Sequence, residues 1–277
     1  MLAVSRSAYY AWRNGEPSKR VLADEALSHR VRTIFWCHRR RYGTRRIASE
    51  LADQAVVCSP RRVAKLLKMQ GLRAIQPKSF VPKTTDSRHR LGDSPNRISE
   101  PITVKAVDRL WVGDITYLPL RRGGFCYLAV LMDFWSRDIV GWSIADSMTE
   151  ELTRTVLCRS IHDRQPQPGL MHHTDRGGQY ASHAYRAMLR RAEMIQSMSR
   201  ADNCYDNAFM ESCFGTLKTE MGKTEYDSVV SARAEIEEYI RYDRFERKHS
   251  SLQYRTPHQF ARQQTGATEG SHLSVKP

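Results

Sequence analysis

Three acidic residues stand where a carboxylate needs a reason. Asp114 lies in the middle of the apolar run LWVGDITYLPL, and an unpaired charge buried there would be costly. Asp175 lies in LMHHTDRGGQY, after a short strand pattern and before a Gly-Gly turn, a place where α/β sheets commonly put sites. Glu211 lies inside the helical stretch DNAFMESCFGTLKTE. Taken singly, each reads as a cap, a turn or a surface acid. Taken together, two strand-borne aspartates and a helix-borne glutamate can converge at one sheet edge. Three hard oxygen donors with open positions suit Mg²⁺ or Mn²⁺. Two such ions about 3.5–4 Å apart can activate an attacking oxygen and stabilise a leaving one in phosphoryl transfer.

Helical spacing adds neighbours to Glu211. At about 100° per residue, Asn207, Glu211 and Lys218 fall within about 40° of one another. Lys218, two turns along, could meet a phosphate or be an ordinary surface lysine. Met210, Phe214, Leu217 and Met221 make an adjacent apolar stripe that should pack on the sheet. Other residues have plainer explanations. Asp133, before Phe134-Trp135-Ser136-Arg137, is the main rival as a fourth acid, though a turn cap is the favoured reading. Asp202 and Asp206 suit a helix start. His172 and His173 adjoin Asp175 and could bind metal, but alternation lets only one of them face the side of Asp175, which favours a structural role. Trp111, Trp135 and Trp142 read as core aromatics. Cys37, Cys58, Cys126, Cys158, Cys204 and Cys213 include no C-x-x-C pair, which implies reduced thiols and no zinc ribbon.

The elements that must hold the acids follow from the pattern. Leu110 to Leu120, Phe125 to Phe134 and Asp138 to Ile144 read as strands with short turns, an antiparallel meander. A helix from about Thr149 to Arg164 follows, then a strand at Gly169 to His173. A helix at Gln179 to Arg191, a strand at Met194 to Ser197 and a helix at Cys204 to Met221 complete a mixed α/β sheet. Val229 to Phe245 reads as a further helix, and Arg247 to Phe260 as a basic, polar segment. Before the strands, Ala26 to Trp36 is helical, and a second helix from Thr44 carries Ile47, Leu51 and Ala52 on one face. A third has Ser59 as N-cap, Pro60 at its first position and Gly71 as its stop. It buries Val63, Leu66 and Leu67 and turns Arg61, Arg62, Lys65 and Lys68 outward. Helix, turn, basic helix is the pattern of a helix-turn-helix DNA reader.

Charge agrees with that division. The 277 residues carry a net charge of +14. Residues 1–100 hold 21 basic and 8 acidic side chains, whereas the rest hold 23 and 22. A basic module beside a balanced one points to a polyanion, with nucleic acid foremost. Apolar runs fall far short of the ~20 residues a membrane span needs, and the N-terminus lacks a signal-peptide pattern, so the cytoplasm is the expected compartment. The expected organisation is a basic DNA-binding region at 1–75, a linker at 76–104, a catalytic core at 105–225, a helical extension at 226–265 and a tail at 266–277.

The joint pattern carries a resemblance. Asp114, Asp175 and, after 35 intervening residues, Glu211, set in HTDRGGQY and DNAFMESCFGTLKTE, resemble the DDE core of retroviral-integrase-like transposases. The match is to the second-frame transposases of the bacterial insertion-sequence family numbered three. RYGTRRIASEL and SPRRVAKLLKMQGL resemble that family's helix-turn-helix region, WVGDITYLP its first catalytic motif and HSSLQYRTPHQF its C-terminal signature. Gly178 stands where the family often has Ser, and Tyr205 where Trp is frequent. The resemblance implies an RNase H-like core and metal ligation by Asp114, Asp175 and Glu211. It also implies a DNA contact by Lys218 and cutting and joining of transposon ends by direct attack. A homo-oligomer joining two ends, and a first-frame protein as fusion or partner, are further implications. A nuclease that cuts without joining, and a DNA-binding regulator without catalysis, remain the alternatives.

Overall fold

The computed structural model describes residues 5–15, 17–76, 94–98, 104–199 and 208–270. The chain divides into two compact units, Met1–Gln76 and Pro77–Pro277. Most of the expected linker, the residues Asp202, Cys204, Tyr205, Asp206 and Asn207, and the end of the chain after 270 lie outside the described residues. Among the described residues, no helix is long and apolar enough to cross a membrane.

The first unit comprises α1 (Arg6–Arg13), α2 (Lys19–Cys37), α3 (Thr44–Asp53) and α4 (Pro60–Met69). Leu27, Val31, Ile34 and Phe35 of α2 pack with Ile47, Ala48 and Leu51 of α3 and with Val63, Leu66 and Leu67 of α4. The buried stripe of α3 uses Ala48, and Ala52 is exposed, because spacing i, i+1, i+4 keeps a narrow face on the core. Ser59 caps α4 by accepting from the Arg62 N–H. Gly71 follows at φ +64°, the left-handed geometry that ends helices.

The second unit is built on a sheet of order β3-β2-β1-β4-β5. Its strands are β1 (Leu110–Pro119), β2 (Phe125–Asp133), β3 (Ile139–Ala145), β4 (Met171–Thr174) and β5 (Ile195–Met198). The first three are antiparallel neighbours, whereas β4 runs parallel to β1 and β5 parallel to β4. This is the RNase H-like arrangement. Between β3 and β4 lies α5 (Glu150–Arg164). Between β4 and β5 the chain forms α6 (Gly178–Ala181) and α7 (His183–Arg191), not the single helix expected from the pattern. Ser182 interrupts it, because its hydroxyl accepts from the Tyr185 N–H and caps α7. Residues 94–98, read as linker, lie along β5, where Ser94 bonds Gln196 and the Arg97 N–H donates to Ser197. Both bonds end on side chains of β5, the strand at one edge of the sheet.

After β5 come α8 (Ala208–Met221), α9 (Val229–Phe245) and α10 (Pro257–Gly270). One sheet face packs Leu110, Val112 and Leu118 against Met210, Phe214 and Leu217 of α8 and Ala232, Ile236 and Tyr239 of α9. The other packs Trp111 and Leu131 against α5 and α7. The segment read as a polar tail is not one. Arg247, Lys248, Leu252, Thr256 and Phe260 are buried, and Phe260 lies 5.6 Å from Trp135 between ring centres. Helix α10 also continues to Gly270, past the boundary at 265 expected for the helical extension.

Candidate active site

Strand pairing positions the two aspartates. Parallel β1 and β4 are in register from Leu110↔Met171 to Gly113↔Thr174. Asp114 and Asp175 therefore occupy the next positions of neighbouring strands running the same way. Each is tied locally: Asp114 Oδ1 accepts from the Ile115 N–H at 2.7 Å, and Asp175 Oδ1 from the Gly177 N–H at 3.0 Å. A Cβ at Gly177 would come within 3.1 Å of Asp175 Oδ1, so a side chain there would crowd the carboxylate. Both aspartates also act on Tyr180, whose phenol is raised well above its ordinary value chiefly by burial, with Tyr185 and the two acids adding to it.

Helix α8 lies along β1 in the same direction. At one end Phe209 meets Phe134 at 4.2 Å, and the Phe134 N–H bonds the Leu110 carbonyl. Towards the other, the Lys218 ammonium stands 4.5 Å above the Tyr117 ring. Burial lowers the Lys218 pKa, partly offset by Asp114. Glu211 lies in the first turn of α8 and is exposed. Among the described residues, no three carboxylate, imidazole or thiol groups stand together as a metal cage. The aspartates thus share one place in the sheet, and Glu211 does not close a cage with them. As a donor set, the three carboxylates fit a hard divalent cation and offer nothing that favours a soft one.

Several neighbours have other work. Both Asp133 oxygens serve the turn after β2, accepting from the Asp108 N–H and from the N–H and hydroxyl of Ser136. His172 Nε2 bonds the Tyr185 hydroxyl at 2.7 Å, and His173 bonds Ser197 and Ser199. Both imidazoles are buried and structural. The five described cysteines, Cys37, Cys58, Cys126, Cys158 and Cys213, are free thiols. Cys213, two residues from Glu211, is pushed up to about 12 by burial. The partners of α8 escaped the sequence reading. Arg137 stacks over Phe209 at 4.1 Å, and Arg247 bonds Glu220. Glu220 beside the apolar stripe was the available signal, since a buried acid demands a partner.

In the first unit, Arg61, Lys65 and Lys68 are exposed on α4. Arg62 is tied to Asp24 of α2 at 2.6 Å, and Lys65 reaches the same carboxylate at 3.4 Å. The four basic residues are therefore not equivalent.

Comparison with known proteins places both units. Residues 22–80 match the model of an HTH-like domain. Residues 105–204 and 193–257 match two models of the integrase core domain. The chain is 38% identical over 255 residues to a 31 kDa protein of insertion element IS600 from Shigella sonnei, covering 91% of this chain and 93% of that one. It is 37% identical over 246 residues to the transposase of element IS904 from Lactococcus lactis, covering 88% and 96%. It is also 37% identical over 265 residues to transposase InsF of IS3A from Escherichia coli, covering 94% and 91%. Among solved structures, the HTLV-2 integrase catalytic core in complex with magnesium aligns at 17% identity and a TM-score of 0.46, over 57% of this chain and 97% of that one. On its sequence relatives and its matched domains, the chain belongs to the IS3-family insertion-sequence transposases, with an HTH-like region ahead of an integrase-type core.

Proposed function

We propose that Asp114, Asp175 and Glu211 together hold divalent metal, Mg²⁺ or Mn²⁺ and two ions at full occupancy, and that this centre cuts and joins the ends of an insertion sequence. The parallel register that sets Asp114 beside Asp175 carries the reading. Bound metal would supply charge neutralisation at the phosphodiester and a more acidic attacking oxygen.

The chain's own groups do the rest. The aspartates orient their oxygens through the Ile115 and Gly177 amides. Lys218, above the Tyr117 ring and in the field of Asp114, can face a DNA phosphate, with Asn207 expected on the same side. Direct attack by water and then by the freed 3′-hydroxyl is supported by the state of two nucleophile-type side chains among the described residues. Burial keeps the Tyr180 phenol and the Cys213 thiol protonated, and an unactivated nucleophile is weak. Arg61 and Lys68 of α4 supply phosphate contacts, with Lys65 and Arg62 contributing less because Asp24 holds them. Two ends must be handled at once, so the working form is a homo-oligomer, with a first-frame protein as partner or fusion.

The test is a strand-transfer assay on a labelled duplex carrying the element's ends, with Mg²⁺, Mn²⁺ or EDTA, and with and without the first-frame protein. Metal-dependent joined products are expected. Asp114→Asn, Asp175→Asn and Glu211→Gln should each reduce cutting by about 10³-fold or more while DNA binding stays. Nicks without joining would make the chain a nuclease. Binding without chemistry in every lane would overturn the reading.

A further inference from the structure

The side of α8 away from Glu211 is held by an unusually polar anchor. Glu220 lies nine residues beyond Glu211, about 13 Å along the helix and about 180° round it. Its carboxylate is buried, at 7% exposure, against an Arg247 side chain at 5%. Arg247 Nε donates to Glu220 Oε2 at 2.8 Å and Oε1 at 3.0 Å, and Nη2 donates to Oε1 at 2.8 Å. The Tyr239 hydroxyl of α9 donates to Glu220 Oε2 at 3.2 Å. Arg247 Nη1 reaches Asp243 at 3.3 Å, and His249 Nε2 lies 3.1 Å from the same Asp243 oxygen. The His249 N–H bonds the Arg255 carbonyl. One guanidinium thus links α8, α9 and the segment that leads into α10.

We propose that Arg247 is a positioning residue. Through its fork onto Glu220 it sets the rotation of α8 and so the places of Glu211 and Lys218. The proposal rests on the metal and DNA roles assigned above to those two residues. Among the described residues, the other contacts of α8 are apolar or cation–π: Met210, Phe214 and Leu217 against the sheet, Phe209 under Arg137 and Lys218 over Tyr117. Apolar packing is weakly directional, and methionine adapts to a shifted partner. A fork is directional in angle as well as distance. A 20° turn of the helix would carry a carboxylate held about 6 Å from its axis through about 2 Å, enough to spoil a reacting geometry. The C-terminal stretch HSSLQYRTPHQF, which has no residue among the candidate acids, acquires a role in this way. It closes the cluster through His249 and fixes the chain beside Arg247.

The test uses the full-length protein with Arg247→Lys, Glu220→Gln and, as control, Lys223→Ala, which breaks an exposed 2.6 Å pair with Glu235 past the end of α8. Thermal melts choose a temperature at which the variants are folded. Mn²⁺ binding is then followed from the free-ion paramagnetic resonance signal, DNA-end affinity by titration, and cutting at saturating DNA. Arg247→Lys and Glu220→Gln should bind Mn²⁺ about 10- to 100-fold more weakly and cut about 10²-fold more slowly, with DNA affinity falling by no more than the one Lys218 contact, because α4 supplies the other phosphate contacts. Lys223→Ala should match the wild type. Folded variants with wild-type Mn²⁺ affinity and cutting would overturn the proposal. Loss of the fold in both variants at every temperature would also overturn it, since the fork would then hold the core and not the pose of one helix. Wild-type Mn²⁺ binding that Asp114→Asn and Glu211→Gln leave unchanged would instead remove the underlying site reading.

Discussion

Buried polar side chains in this core divide by what their atoms meet. Asp133 gives both oxygens to a turn, and Ser136 beside it is as deeply buried. His172 is a different case. Burial pushes its imidazole from 6.5 down to about 3, so the unfolded chain takes up a proton on acidification that the folded chain refuses. The stability from this group is complete above the unfolded value and is lost as pH falls towards 3. Urea unfolding should therefore show a loss of about 2 kcal/mol between pH 7 and pH 5 from this group. His172→Phe should flatten that slope; an equal slope in the variant would place the acid sensitivity elsewhere. Of the candidate acids, Asp114 was legible because it breaks an apolar run, and Asp175 because a Gly-Gly turn follows it. Glu220 was not, because LKTEMGKTE looks like an exposed helix end and its partner lies 27 residues away.

Elements explain why some substitutions reach further than their own side chain. Gly113 precedes Asp114, and a Cβ there would come within 2.6 Å of Leu131 and 3.2 Å of His172. Both neighbours are buried, so Gly113→Ala must displace the Leu131 side chain within a packed core. It should lower stability by about 1–3 kcal/mol in a denaturant titration and reduce cutting, whereas unchanged stability would mean the core yields freely. On α4, neutralising Arg61 and Lys68 together should weaken DNA binding and reduce its salt slope by about 2. Arg62→Ala should change the slope less and instead lower the melting temperature of the first unit, because it leaves the half-buried Asp24 with a weaker partner. An equal slope change from both would put Arg62 on the DNA. The helices and antiparallel strands were readable from local periodicity. The β1–β4 pairing was not, since it joins segments some 60 residues apart, and no local pattern encodes its register.

At the scale of the molecule, the chain forms two compact units. Residues 1–76 have their own apolar core around Val31, Ile47 and Val63. Expressed alone, they should fold with a cooperative melt and bind DNA with a steep salt dependence and no cutting in any metal. A non-cooperative melt would mean that the helices need the rest of the chain. The charge asymmetry in the sequence suggests a basic module ahead of a balanced one. The folding of the C-terminal segment onto α8 and α9 was hidden, because Arg247 and Lys248 look like surface residues until their burial is seen.

The register of β1 and β4 also decides which changes in length the chain can survive. Side chains alternate along a strand, so removing one residue between Met171 and Thr174 would send the carboxylate after it to the opposite face of the sheet. The turn at Arg121–Gly124 and the connection from Gln165 to Gly169 lie outside the strands, and lengthening a surface loop costs little. Insertions of several residues there should leave a working enzyme, while a single deletion inside β4 should not. Relatives of this chain should therefore differ freely in the separation between their first two aspartates and hardly at all in the four residues before the second.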